Sequence, residues 1–210
     1  LAPTEAAGIA KVYTQAFPAS WHFFFAPGPQ TEPRVQQIVS ISFRLLMQAG
    51  CTVIGAVDPR DQRLVGYCAL IIQEKSLNRR LVKAVFQGRF NQEIAQLWHH
   101  LSSREVIRLS LNRLLFSGFS RTTQATTPGG RILSFAVLPE YQGQGIGSRL
   151  LQEAVQLSDQ TGQTTLNLEV RPTNTSGLHL YQRHGFQVIG KTRDLQGQWL
   201  IMVRYRVPRR

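Results

Sequence analysis

The pattern along this chain predicts a mixed α/β fold, one sheet with helices on both faces. Three observations predict it. Helical and strand-like segments follow one another as helix, helix, strand pair, a long intervening stretch, strand, helix, strand, helix and strand pair. An apolar run of strand length at 132–138 is stopped by Pro139 and leads through a glycine-rich turn into a helical pattern starting near Ser148. A length of 210 residues, 42% apolar and 17% charged, suits one sizeable core rather than a disordered chain. One domain over 1–210 is the expectation.

Thr4 is placed to cap a first helix whose apolar side is Ile9, Val12, Tyr13, Ala16 and Phe17 and which Pro18 ends. The stretch 21–29, Trp21-His22-Phe23-Phe24-Phe25-Ala26-Pro27-Gly28-Pro29, reads as too proline-bounded and aromatic for a regular helix. Its aromatics either face a ligand or wedge a loop to the core. Thr31 and Pro33 open a second helix with Val35, Ile38, Val39, Ser42 and Leu46 along one side. Runs at 51–57 and 64–72 flank Asp58-Pro59-Arg60-Asp61 and predict a hairpin. Cys51 and Cys68 are too few for a disulfide framework, and buried free thiols in a reducing cytoplasm are the expectation.

After this pair about 55 residues intervene before the next strand, far more than an ordinary connection. They predict a basic helical insert over about 75–130. Phe86, Phe90, Ile94, Leu97 and Trp98 fit one helix face, and Ile107, Leu111, Leu114 and Leu115 fit another, with Arg104, Arg108 and Arg113 mostly off it. The tail, 120–130, reads as a Thr/Gly/Pro-rich link. The chain carries a net charge of +12 with a pI near 10.8. Between Lys75 and Arg131 there are ten Lys and Arg against two acidic residues, so the charge is regional and points to polyanionic partners. The insert has three readings: a solvated face on helices that extend the core, a lid or wall for a neighbouring site, or a basic amphipathic surface for an acidic membrane or nucleic acid. No nucleic-acid-binding motif supports a specific nucleic acid partner.

Beyond the glycine turn, Leu150, Leu151, Ala154, Val155 and Leu157 or Ser158 continue a helix that Gly162 ends. The segment 164–170 alternates, with Leu166, Leu168 and Val170 on one face and Thr165, Asn167 and Glu169 on the other. Asn174 opens a helix with Leu178, Tyr181 and Gln182 that stops at Gly185. Segments 186–190 and 198–207 form a closing antiparallel pair around Asp194-Leu195-Gln196-Gly197, in which Trp199, Ile201, Val203 and Tyr205 share a face.

The strand, glycine turn and helix start at 132–151 make a place to hold an anion, because glycines admit close approach and the first helical N–H groups point outward. A P-loop needs a lysine that is absent, and the dinucleotide fingerprint fails because Ser148 stands where its third glycine should. What fits is Gln-x-x-Gly-x-Gly, on Gln142, Gly145 and Gly147. A second block follows: Leu168-Glu169-Val170-Arg171-Pro172-Thr173-Asn174, then Leu180-Tyr181 and Gly185-Phe186. Together they resemble the GNAT superfamily of acyl-CoA-dependent N-acyltransferases, over about the last 80 residues. Within it, the Leu-Glu-Val-Arg-x-x-Asn run is similar to that of ribosomal-protein alanine acetyltransferases.

The resemblance implies a mostly antiparallel GNAT-like sheet with the insert before the CoA-binding strand. It implies acetyl-CoA as acyl donor, held by the backbone of Phe135, Ala136 and Val137, by the loop Gln142, Gly143, Gln144, Gly145, Ile146, Gly147 and Ser148, and by Asn174 on the pantetheine arm. It implies Tyr181 as the acid that protonates the departing thiolate and Glu169 as the base for the amine. A backbone N–H near Val137 would polarise the thioester carbonyl. Each has a plainer reading: Tyr181 as core, Asn174 as an N-cap, Glu169 as a strand-end carboxylate paired with Arg171 or the insert. Gly177 departs from the alanine common in the family.

The function expected is an acetyl-CoA-dependent N-acetyltransferase working by direct attack in a ternary complex. The acceptor is a protein N-terminus or lysine, or a small amine, and the positive charge disfavours polyamines. The alternative is a non-catalytic acyl-CoA-binding module whose insert docks on a partner, an acidic membrane or nucleic acid. His99, His100, His179 and His184 lack further ligands at metal spacing, so no metal is expected. No run is long and apolar enough to span a bilayer, and the opening LAPTEAAGIAKVY lacks signal-peptide character, so a cytoplasmic protein is expected. The acceptor, acyl chain length and oligomeric state are not written in the sequence.

Overall fold

A computed structural model describes residues 1–72, 79–80, 82–84, 86–120 and 129–206, the side chains of 113–120 excepted. Its sheet contains β1 (Thr52–Val57), β2 (Leu64–Ile71), β3 (Gly130–Val137), β4 (Thr165–Val170), β5 (Gln187–Asp194) and β6 (Gly197–Tyr205), in the order β1-β2-β3-β4-β6-β5. Every neighbouring pair is antiparallel except β3 with β4, giving the mixed, mostly antiparallel sheet expected. The helices are α1 (Ala6–Ala16), α2 (Pro18–Phe24), α3 (Thr31–Gln48), α4 (Asn91–His100), α5 (Ser103–Ser120), α6 (Ile146–Gln160) and α7 (Thr175–Arg183).

Two cores flank the sheet. On one face Ile9 and Val12 of α1 and Phe43 of α3 meet Val53, Val65, Tyr67, Ala69, Ala136 and Leu138. On the other, Leu150, Leu151 and Ala154 of α6 and Tyr181 of α7 meet Cys68, Leu70, Leu166, Leu168, Val170 and Met202. β2 is buried on both sides from Val65 to Ile71, so it reads as a continuous apolar run. In β4 strict alternation sends Leu166, Leu168 and Val170 to the α6/α7 side, each contributing about 1.5–3 kcal/mol by burial. Cys51 and Cys68 are free and buried, and burial pushes the Cys51 thiol up to about 12.

Several local expectations are corrected. Thr4 lies in a 3-10 turn, Pro3–Glu5, and it is Glu5 whose carboxylate accepts the Ala2 N–H (2.6 Å). Pro18 begins a helix rather than merely ending one, because proline at the first helical position forfeits only an N–H that has no helical partner. The aromatic stretch expected to be irregular is therefore helical to Phe24. Trp21 and Phe25 are buried with Val35 and Ile38, and Trp21 Nε1 donates to Thr14 O (2.9 Å). Those two aromatics wedge α2 to the core. No strand precedes β1 among the described residues, and α6 starts at Ile146, two residues before the expected Ser148.

The described residues of the intervening stretch include α4 and α5, whose faces differ from the pattern. Gly88 (φ +66°) breaks the expected single helix, so Phe90, buried, precedes α4 while Phe86 is 88% exposed. Trp98, Ile107 and Leu111 are exposed as well, so apolar spacing alone did not identify what faces the core. Leu114, Leu115 and Arg113 lie among the undescribed side chains, and most of the 120–130 link, like Lys75, lies outside the described residues. α5 packs on β5; Asn112 Oδ1 accepts the Leu195 N–H (2.9 Å), and Arg108 lies over the Phe23 ring (5.0 Å).

Candidate active site

The turn between β3 and α6 is built so that backbone, not side chains, faces outward. Gly143 (φ +76°) and Gly145 (φ +80°, the N-cap of α6) adopt left-handed conformations that cost other residues about 1–2 kcal/mol. Gln142 Nε2 folds back onto Val137 O (3.0 Å) and Gln144 Nε2 onto Glu140 O (3.0 Å). The first α6 helical bond runs from Arg149 N–H to Gly145 O, so the N–H groups of Ile146, Gly147 and Ser148 have no intrahelical acceptor. A turn so built at the positive end of a 15-residue helix has the geometry of an anion cradle. Gly147 is different. A Cβ there would lie 3.4 Å from Leu180 Cδ2 and 3.7 Å from the Phe135 ring, ordinary contact distances, so packing against α7 and β3 does not demand a glycine.

Tyr141 anchors the start of this turn. Its hydroxyl donates to Asp58 Oδ2 (2.6 Å), and Arg63 reaches both that hydroxyl (3.2 Å) and the face of the ring. The hydrogen bond from Tyr141, then the Arg60 N–H, holds the Asp58 carboxyl below its ordinary range against the opposing effect of burial. Ser148 Oγ lies 2.8 Å from His184 Nε2 at the end of α7.

Beside the turn the sheet parts. Among the described residues, parallel β3 and β4 pair at Gly130↔Leu166 and Arg131↔Asn167, and diverge beyond. A bulge in β3, where Ala69 faces Ser134 but Leu70 faces Ile132, leaves Leu133 as an extra residue next to the split. Leu138 donates to Val65 O on β2 (2.8 Å), so by alternation the N–H and C=O of Val137 face the opening. Ala136 turns its side chain into the opposite core, and its backbone faces β2.

On the α6/α7 face the opening is bordered by Tyr181. It is 7% exposed and meets the rings of Phe135 (6.0 Å) and Phe186 (5.9 Å) edge-on. Burial, then the neighbouring Cys68 thiol, pushes its phenol well above the ordinary value, so it keeps its proton. Asn174 caps α7 by accepting the Gly177 N–H (2.9 Å), which leaves its Nδ2 for another partner. A Cβ on Gly177 would come within 2.7 Å of the Asn174 amide, which gives the departure from alanine a physical reason.

Glu169 stands on the opposite face. Its carboxylate is held by Arg131, with Nη2 at 2.7 Å from Oε1 and Nε at 3.3 Å from Oε2, in surroundings that leave it 18% exposed. Arg171 instead pairs with Asp194 (2.9 Å) and lies over Trp199. The structure brings Phe135, Val137 and Tyr181 together beside the opening, with Glu169 on the other face of the sheet. Sequence reasoning missed Arg131, His184 and the Asp58–Tyr141 contact, whose partners lie 38, 36 and 83 residues away. Among the described residues no group of His, Cys, Asp and Glu could hold a metal ion, and no helix is long and apolar enough to cross a membrane.

Comparison with known proteins decides the family. The profile of the acetyltransferase (GNAT) family matches residues 13–186. The chain belongs to this family. As a GNAT chain it shares 38% identity over 64 residues with the [ribosomal protein bS18]-alanine N-acetyltransferase of Escherichia coli K12, 30% of this chain and 43% of that protein. It shares 35% over 104 residues with N-alpha-acetyltransferase RimI of Mycobacterium tuberculosis, 50% of this chain and 62% of the relative. The match thus spans less than two thirds of either relative. The PaiA N-acetyltransferase of Thermoplasma acidophilum, solved in complex with coenzyme A, superposes with a TM-score of 0.55 at 16% identity, covering 98% of this chain and 96% of that one. At that identity the likeness shows the GNAT fold alone. The family's acetyltransferases take their acyl group from acetyl-CoA.

Proposed function

We propose that this chain is an N-acetyltransferase that moves an acetyl group from acetyl-CoA to a primary amine by direct attack in a ternary complex. The observation that carries the reading is the opening between β3 and β4, with the anion cradle and Tyr181 on one face and the Arg131–Glu169 pair on the other. The diphosphate would lie on the N–H groups of Ile146, Gly147 and Ser148, with Gln142, Gly143, Gln144 and Gly145 shaping the turn and Asn174 Nδ2 on the pantetheine arm. The thioester would lie in the opening against the backbone of Phe135 and Val137, where the Val137 N–H stabilises charge developing on the carbonyl oxygen; Ala136, whose backbone faces β2, would not contribute.

The amine nitrogen bonds to the thioester carbon, the carbon–sulfur bond breaks, and Tyr181 gives its proton to the sulfur. The proton lost by the amine goes to Glu169 and returns to the phenol through solvent. A buried phenol is suited to donate, because it stays protonated at neutral pH. Both Glu169 oxygens engage Arg131, so the carboxylate must release one to act as base. The names of the E. coli and M. tuberculosis relatives favour a protein N-terminus as acceptor, ahead of lysine or a small amine. Residues 1–210 would act as one catalytic domain in the cytoplasm. Its insert walls the acceptor side: α5 reaches the β5–β6 turn through Asn112 and α2 through Arg108.

Thiol release from acetyl-CoA against peptides with varied N-termini, lysine peptides and small amines tests this. Turnover should fall about 100-fold or more in Tyr181→Phe and in Glu169→Gln, with CoA affinity within about twofold of wild type. Undiminished turnover in Tyr181→Phe refutes the acid assignment. CoA binding without turnover on any amine class refutes the transferase reading.

A further inference from the structure

We propose that His184 is a positioning residue for the diphosphate of the CoA donor: its ring holds the Ser148 hydroxyl, and on taking up a proton it turns that hydroxyl toward the phosphate. The inference rests on the cradle reading above. Ser148 is the third residue of α6, inside the first turn whose N–H groups point outward, and its Oγ is 2.8 Å from His184 Nε2.

A hydroxyl has one proton, and an imidazole nitrogen either donates or accepts. In the neutral ring with its proton on Nδ1, Nε2 accepts the Ser148 proton and the hydroxyl can turn only lone pairs to an anion. With the proton on Nε2 it donates to Oγ instead, so the feature that belongs to the protonated ring alone is its positive charge. When both ring nitrogens are protonated, Nε2 donates to Oγ, and the Ser148 proton is released toward the phosphate. The imidazolium also brings a full charge. The turn from Gln142 to Ser148 contains no lysine or arginine, and the next cation along the chain is Arg149, exposed in the first turn of α6.

The ring is held in place. His184 ends α7 with its N–H on the carbonyls of Leu180 and Tyr181, and Gly185 (φ +84°) then swings the chain toward β5. Burial, then Arg183 of the same helix and Arg204 from β6, lowers its pKa. Arg204 is itself paired with Asp159 of α6 (3.0 Å). The ring is therefore neutral near pH 7 in the free protein, and two phosphate charges beside it favour protonation. Binding takes up a proton. Affinity is then constant above the bound-state pKa and strengthens as pH falls, until the free-state pKa is passed.

Calorimetric titration of the full chain with CoA from pH 5.5 to 8.5, in two buffers of different ionisation enthalpy, tests this. Wild type, His184→Gln and Ser148→Ala are compared, so that CoA's own phosphate titration is common to all. Wild type should gain about threefold to tenfold more affinity between pH 8 and pH 6 than His184→Gln, with proton uptake that this variant lacks. Ser148→Ala should lose affinity chiefly at the acidic end. Equal pH dependence in wild type and a folded His184→Gln overturns the proposal while leaving the cradle intact. Absence of CoA binding to wild type at every pH overturns the cradle and this inference with it. If His184→Gln does not fold, histidine-resolved NMR titration of wild type with and without CoA decides: a His184 pKa not raised by CoA overturns the proposal.

Discussion

Gly145 and Gly147 stand two residues apart in one motif, and substituting each by alanine should give opposite results. At Gly145 a Cβ would meet nothing within 4 Å, so the whole cost lies in the backbone, held at φ +80°. For an alanine that conformation costs about 1–2 kcal/mol. If the turn keeps its shape, the cost appears as stability, lowering Tm by roughly 2–8 °C in a domain of this size. If the turn relaxes to a negative φ, the N–H groups of α6 swing away and the same free energy appears as about a fivefold to thirtyfold loss of CoA affinity. At Gly147, φ is helical and the added methyl meets Leu180 Cδ2 at 3.4 Å, an ordinary contact with a side chain that can adjust. Alanine there should be neutral or gain up to about 1 kcal/mol from helix propensity. Urea unfolding and calorimetric CoA binding on both variants read the two terms. Gly145→Ala indistinguishable from wild type in both assays, or Gly147→Ala failing to fold, would show that the division of labour between the glycines is misassigned.

Two further outcomes follow from local contacts. Asn174→Ala should lose about 1 kcal/mol by urea unfolding, because the Gly177 N–H loses its cap, and should weaken CoA as well if Nδ2 meets the pantetheine arm; unchanged stability contradicts the cap. Asp58 has a depressed folded-state pKa, so its contribution is full above the unfolded value near 3.9 and is lost as pH falls through the lower folded value. Asp58→Asn should therefore lower Tm at pH 7, and the gap to wild type should narrow below about pH 4. A gap that does not change with pH would assign the Asp58–Tyr141 contact to something other than the carboxylate charge.

What the sequence determined by itself is whatever depends on neighbours in the chain. The hairpin around Asp58, the alternation of β4, the glycine-rich turn before α6 and the cap at Asn174 are short-range matters of φ, ψ and periodicity, and each was legible. So was the family, because its two motifs lie within about 55 residues of one another. Tertiary structure decided the rest. Pro18 could end a helix or begin one, and burial of Trp21 against Val35 and Ile38 chose. Glu169 could pair with several cations, and Arg131 holds it because β3 lies beside β4. The opening itself follows from two parallel strands that part after two paired positions. It places Tyr181 and Glu169 on opposite faces, although they are 12 residues apart in sequence. Such contacts join residues with no periodic relation, so only the folded chain, in which packing fixes which side chains meet, can specify them.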